Sequence, residues 1–216
     1  MIIINKNDKT YELNSLKHIV HKNNLENIFK FGLLSHNEVY RNGLLIEDIS
    51  MQEIQERRHL KMIPNAIYFL HDCASLYFNN KNPMLYKRYQ LQNDLLILLI
   101  KPEIILNNNV YFTDGNASAK NTNFYCKKEE LINLDLELLN SLNWFNNDSN
   151  IQKQNKRKMC AEVLVFPKVE IQHIFKIICY NQEVLEFMNK IKNNTNYNNS
   201  CSHIELELNN SKLFYF

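Results

Sequence analysis

The run Lys156-Arg157-Lys158-Met159-Cys160-Ala161-Glu162-Val163-Leu164-Val165-Phe166 sets one carboxylate at the start of an apolar strand, just after three cations. From Ala161 the residues alternate: Ala161, Val163 and Val165 face one way, Glu162, Leu164 and Phe166 the other. An acid among apolar neighbours faces a cleft, pairs with a cation or carries a raised pKa. The simpler alternative is a strand-end glutamate that reaches water. Arg58 is a second candidate. A helix predicted over 51–60 puts Met51, Ile54 and Arg58 on one face, which turns Arg58 towards the core. A solvated helix end, with Arg57 and Arg58 bound to Glu53 or Glu56, is the alternative. His18 and His21 flank Ile19 and Val20 on a predicted strand. Their spacing puts them on opposite faces, which is poor for a shared metal; for His18 alone, a hydrogen-bonded core position competes. No nucleophile elbow is present, and Cys160 adjoins the basic run only along the chain.

The chain that must position these groups has 216 residues and 45% hydrophobic content. That is enough for one domain with a real core, so residues 1–216 are read as a single unit. The longest apolar run, Leu95–Ile100, is too short for a membrane span. Met1-Ile2-Ile3-Ile4 lacks the basic start of a signal peptide. Five cysteines without a CxxC pair point to reduced thiols in a cytoplasmic protein and to no metal. A net charge of +2 does not by itself argue for nucleic acid. Three glycines provide no phosphate-binding loop.

Strands are expected over 17–20, 66–70, 74–78, Leu95–Ile100, Val110–Thr113 and 174–180, and Ile204, Leu206 and Leu208 mark one more. Asn23 reads as a helix N-cap, and Gly32 ends that helix. Ser50-x-x-Glu53 reads as a capping box with an Ile49/Ile54 staple. Pro83 opens a short helix. Leu131, Leu134, Leu138 and Leu142 predict an amphipathic helix over 130–144, and Val184, Met188 and Ile191 predict another. Asp114-Gly115 makes a turn. Residues 145–155 read as a long polar loop made basic by Lys153 and the cations that follow, and 193–202 as a mobile low-complexity segment. The class is α+β, with about seven short strands.

The order and spacing of several pieces resemble the DarT family of DNA ADP-ribosyltransferase toxins over nearly the whole chain. These pieces are His18-Ile19-Val20-His21-Lys22-Asn23-Asn24-Leu25, Gly32-Leu33-Leu34, Ile54-Gln55-Glu56-Arg57-Arg58, Leu70-His71-Asp72, Tyr77-Phe78, Asn82-Pro83-Met84-Leu85-Tyr86, Thr113-Asp114, Leu134-Asp135, Lys158-Met159-Cys160-Ala161-Glu162-Val163-Leu164-Val165 and the aromatic end Leu213-Phe214-Tyr215-Phe216. The resemblance implies an ADP-ribosyltransferase fold of two packed mixed sheets, flanked by helices, around an NAD cleft. His18, with Ile19 and Val20, would anchor the NAD ribose. Tyr77 would stack on the nicotinamide, Met84 would pack beside it and Asn24 would lie near. Arg58 would be the essential arginine and Glu162 the catalytic glutamate. Arginine is a poor proton acceptor at neutral pH, so Arg58 is read as clamping the pyrophosphate or polarising the base. Leu164, Phe166, Tyr77 and Phe78 would keep the cleft dry. Asn121, Lys153, Lys156, Arg157 and Lys158 would hold single-stranded DNA, whose unstacked bases are reachable.

The thymine-modifying branch carries a histidine where Asn121 stands, and Gly115-Asn116-Ala117 also departs from it. The reading therefore leans towards guanine over thymine. A macrodomain antitoxin on a separate protein is implied. An acceptor in protein or RNA, or a non-catalytic nucleic-acid-binding module, are the competing readings.

Overall fold

The computed structural model describes residues 1–193, 198–209 and 213–215. A hairpin opens the chain: β1 (Ile2–Lys6) pairs antiparallel with β2 (Lys9–Leu13). Then follow β3 (Leu16–His21), α1 (Leu25–Phe31), β4 (Leu33–Leu34), α2 (His36–Arg41), α3 (Gln52–His59), β5 (Ala74–Tyr77), α4 (Pro83–Lys87), β6 (Leu95–Ile100) and β7 (Val110–Thr113). The second part runs β8 (Phe124–Tyr125), α5 (Leu136–Leu139), α6 (Ser149–Lys158), β9 (Glu162–Val165), β10 (Lys168–Val169), β11 (Ile174–Cys179), α7 (Gln182–Lys192), α8 (Asn198–Cys201) and β12 (Glu205–Leu208).

Eight strands form one ladder in the order β12-β11-β6-β3-β5-β9-β7-β8. β6 lies inside it, as its unbroken apolar run requires, and pairs with β3 over six residues and with β11 on its other side. The ladder has a pinch. β3 and β5 share a single pair, Lys17↔Tyr77. Two four-stranded halves therefore meet at one point. Among the described residues only β11–β12 is parallel. The halves share one core, with Leu16, Val20, Leu96 and Leu98 from one side and Leu76, Phe112, Val163 and Val165 from the other. This is the α+β architecture expected, with its main strands joined in one large mixed sheet. Lys17 spans the pinch, donating to the Ser15 and Phe78 carbonyls at 2.8 and 2.9 Å.

Several local expectations change. Twelve strands form among the described residues, more than the sequence suggested. The helix read from Asn23 opens as a short 3-10 turn capped by the His21 side chain. Its end at Gly32 holds: φ is 82°, and a Cβ there would lie 2.6 Å from the Val169 carbonyl oxygen. Ser50 caps nothing; the cap of α3 is Met51, with no side-chain bond, because the Ser50 amide bonds Asp48 and its carbonyl bonds Arg88. Residues 66–70 form no strand, only the isolated bridge Met62↔Phe69. The helix over 130–144 is broken into a 3-10 turn at Lys128–Asn133 and the short α5. Asp135 makes the break, capping the Leu138 amide and pairing with Lys158, and Leu142 is left 65% exposed. Conversely, much of the loop read over 145–155 is α6, capped by Asp148. Of the segment 193–202, residues 194–197 lie outside the described residues and Asn198–Cys201 is helical. Among the described residues no helix is long and apolar enough to cross a membrane. Nor does any group of three or more His, Cys, Asp or Glu among them stand ready to hold a metal.

Candidate active site

Glu162 opens β9 opposite Tyr77 of β5. Its alternation is as read: Val163 and Val165 enter the main core, while Leu164 enters a smaller cluster on the other face. Glu162 is only 1% exposed, so the water-reaching alternative fails. Its carboxylate meets Arg58, 8% exposed, with Nη1 donating to Oε2 at 2.8 Å and Oε1 at 3.1 Å. The Ala117 amide donates to Oε1 at 2.9 Å. Thr113 Oγ1 accepts from the Glu162 amide at 3.0 Å, which seats the backbone. Burial is the largest influence on Arg58 and opposes its charge, but Glu162, Tyr77 and Cys73 together outweigh it and raise its pKa. The arginine stays protonated and is no proton acceptor.

Ser75 ties this pair to His18. Arg58 Nη2 donates to Ser75 Oγ at 2.6 Å, and His18 Nδ1 lies 2.9 Å from the Ser75 carbonyl oxygen. A carbonyl only accepts, so Nδ1 carries the proton and Nε2 is left as an acceptor. Burial lowers the His18 pKa, partly offset by the Ser75 bond, which keeps the ring neutral. Burial, with the Glu162 charge, pushes the Tyr77 phenol up, so it too stays neutral.

These groups line one cavity of about 360 Å³, to which His18, Ile19, Val20, Asn24, Arg58, Tyr77, Met84 and Glu162 all contribute. Every cofactor residue read from the sequence therefore reaches the same cleft. Asn24 acts there through the chain segment over the cleft: its side chain accepts from the Ile46 and Glu47 amides and donates to the Glu47 carbonyl. Asn27, Tyr40 and Arg88 hold the rest of residues 44–50. Cys73 and Cys160 also line the cavity; burial pushes both thiols up to about 12, so neither is a ready nucleophile. The dry wall differs from expectation. Tyr77 lines the cleft, but Leu164 and Phe166 pack with Ile63, Leu70 and Ala117, and Phe78 enters the main core.

The basic residues divide. Arg157 Nη1 donates to Asp114 Oδ1 at 2.8 Å and to Thr122 Oγ1 at 3.3 Å, and Lys158 pairs with Asp135 at 2.8 Å. Arg157 crosses the turn directly over Gly115, where a Cβ would lie 2.4 Å from Nη1 and displace the guanidinium. The Asn116 amide bonds the Arg157 carbonyl at 2.9 Å. Arg157 thereby anchors the segment that presents the Ala117 amide to Glu162. Lys153, Lys156 and Asn121 are exposed and line no part of the cleft.

Sequence reading missed Ser75, Thr113 and Ala117. Ser75 was recoverable, because it shares the Tyr77 face of β5 by alternation. The Ala117 contribution is a backbone amide, which no side-chain pattern signals.

A neutral histidine, a neutral tyrosine and a buried carboxylate–guanidinium pair around an apolar cleft define a site that can hold a sugar and stabilise positive charge on it. The family model described as "ssDNA thymidine ADP-ribosyltransferase, DarT" matches residues 17–215, and the chain belongs to that family. A DNA ADP-ribosyl transferase–DNA ADP-ribosyl glycohydrolase fusion protein of Thermosipho africanus (strain H17ap60334) is 31% identical over 187 residues, 84% of this chain and 46% of the relative. The chain thus spans under half the length of that relative. The solved structure of Thermus sp. 2.9 DarT in complex with ADP-ribosylated ssDNA superposes with a TM-score of 0.83 at 26% identity, covering 95% of this chain and 98% of that one. Thermosipho africanus DarTG in complex with ADP-ribose gives 0.78 at 28% identity, over 93% of this chain and 51% of that one.

Proposed function

We propose that this protein transfers ADP-ribose from NAD to a base of single-stranded DNA. The observation that carries the reading is the buried Glu162–Arg58 pair facing the same cleft as His18, Tyr77 and Met84. In the reaction the bond from ribose C1′ to the nicotinamide nitrogen breaks and nicotinamide leaves with the electron pair. A base nitrogen then bonds C1′ and loses its proton to water. Glu162 holds the ribose 2′-hydroxyl and stabilises the developing cation. His18 Nε2 accepts from a ribose hydroxyl, Tyr77 and Met84 enclose the nicotinamide, and Arg58, permanently charged, clamps the pyrophosphate. NAD is a co-substrate, and no metal takes part.

Thymidine is the acceptor named in the family description, and we take it over the guanine that the 115–121 departure favoured. The proposal extends to one domain over residues 1–216, acting in the cytoplasm as a toxin. Its antitoxin partner would be a macrodomain, in keeping with the glycohydrolase fused to the Thermosipho relative. Mass spectrometry on four single-stranded oligonucleotides, each lacking one base and incubated with NAD, tests the reading. The expected result is a single ADP-ribose adduct that disappears only with the oligonucleotide lacking thymine. NAD consumption without any DNA adduct would move the acceptor to protein or RNA.

A further inference from the structure

The cluster Tyr86, Tyr89, Trp144, Phe145 and Tyr215 lies just outside the cleft and takes no part in the chemistry above. Three of its rings face solvent: Tyr86 is 47%, Tyr89 51% and Phe145 61% exposed. Trp144, 2% exposed, is the hub. Its ring lies 5.6 Å from Tyr86 at 86°, 5.6 Å from Phe145 at 17° and 6.1 Å from Tyr215. Tyr86 lies 6.4 Å from Tyr89. Packing holds the rings of the hub, since Trp144 Nε1 and Tyr215 Oη are buried with no partner among the described residues.

The cluster is continuous with the cleft. Tyr86 sits on α4, whose Pro83, Met84 and Lys87 line the cavity. Cations stand on the same elements: Lys81 lies 5.6 Å over Tyr215, and Lys87 of α4 and Lys153 of α6 are exposed. α6, which carries Lys153, touches the hub through Asn155 Nδ2, 3.4 Å from the Trp144 carbonyl oxygen. Solvent-facing rings on elements that also carry exposed cations suit an unpaired strand, whose bases stack while its phosphates find positive charge. A protein partner would instead seek a contiguous apolar patch. The need for such a surface is real, because Arg157 and Lys158 are already committed to Asp114 and Asp135.

We propose that Tyr89, Tyr86 and Phe145, braced by Trp144, form a stacking platform for the nucleobases that flank the target in single-stranded DNA. The platform rests on the DNA-transfer reading and adds a subsite to it. The test measures binding of a fluorescent single-stranded oligonucleotide to the full chain and to Tyr86→Ala, Tyr89→Ala and Phe145→Ala. Each intact oligonucleotide is paired with one whose bases flanking the target are abasic. Losing one stacked base lowers affinity by about five- to a hundredfold. Each alanine variant should show a loss in that range on the intact strand, with KM for NAD moving less than about twofold. Tyr86→Trp should restore binding, and on the abasic strand the variants should match the wild type. Alanine variants that bind the intact strand like the wild type would overturn the platform, as would a loss that persists undiminished on the abasic strand. If the wild type modifies no oligonucleotide at all, the parent reading fails; if it modifies DNA while the variants bind normally, only the platform fails.

Discussion

The two sides of Glu162 are built in different ways. On one side stand strands: β3 supplies His18, β5 supplies Ser75 and Tyr77, and β9 supplies Glu162 itself. Their mutual positions follow from ladder register, with Tyr77 opposite both Lys17 and Glu162. On the other side stands the irregular segment after Asp114, which brings the Ala117 amide to Glu162. No ladder fixes that segment. Arg157 does, by crossing Gly115 and pairing with Asp114. The strand side is held by many cooperative backbone bonds and a shared core. The loop side depends on one half-buried ion pair and a few local hydrogen bonds. The carboxylate is therefore held between one fixed wall and one adjustable wall.

That contrast sets the order of expected effects. Arg58→Met removes the cation that the strand side has buried against Glu162 and leaves the carboxylate with the Ala117 amide alone. Losing one member of a buried pair costs about 3–5 kcal/mol, and urea unfolding should show a fall in that range.

Next comes pH. Burial, helped by His36 and Arg58, pushes the His71 pKa down to about 4. The unfolded chain binds a proton there near the ordinary value of about 6.5, while the fold refuses it. Stability therefore falls as pH drops from about 6.5 towards 4 and levels below that. The shift corresponds to about 3 kcal/mol. His71→Gln should flatten this part of the stability–pH curve, as measured by urea midpoints between pH 7 and 4.5.

A smaller effect tests the adjustable wall. Arg157→Ala should cost only about 1 kcal/mol of stability. It should slow ADP-ribose transfer by about tenfold, since a misplaced Ala117 amide is a missing donor worth on the order of 1.5 kcal/mol, while KM for NAD stays near the wild-type value. A proportional fall in DNA affinity instead would return Arg157 to the phosphate-binding role that its place in the basic run suggests. The smallest effect is expected from Lys153→Ala with Lys156→Ala. These exposed residues should leave stability unchanged and reduce the salt slope of single-stranded DNA binding by about 0.7 for each phosphate they neutralise.

The strand side was legible because its signals are local. The alternation from Ala161 put Glu162 on the face away from Val163 and Val165, and the 3.6-residue spacing of Met51, Ile54 and Arg58 turned that arginine inward; both held. The roles of His18, Tyr77 and Met84 came from the family resemblance, and the cleft gathers all three. The loop side was not legible. α6 carries no clear apolar stripe, and its Asp148 cap lay inside what read as a polar loop. Lys156, Arg157 and Lys158 looked alike in sequence, yet two of the three have partners more than twenty residues away. The leucine spacing over 130–144 failed for the same reason: the Asp135–Lys158 pair favours a break that local propensity does not foresee.

The most direct test compares wild type and Glu162→Gln in a single-turnover assay of ADP-ribose transfer to a thymine-containing single strand, with NAD affinity measured on the same samples. The amide keeps the shape of the side chain and removes its charge. The account predicts transfer slowed by at least about a hundredfold, with NAD affinity changed only a few-fold. Transfer at the wild-type rate would contradict it, and Glu162 would then be a structural partner of Arg58 rather than the group that stabilises the ribosyl cation.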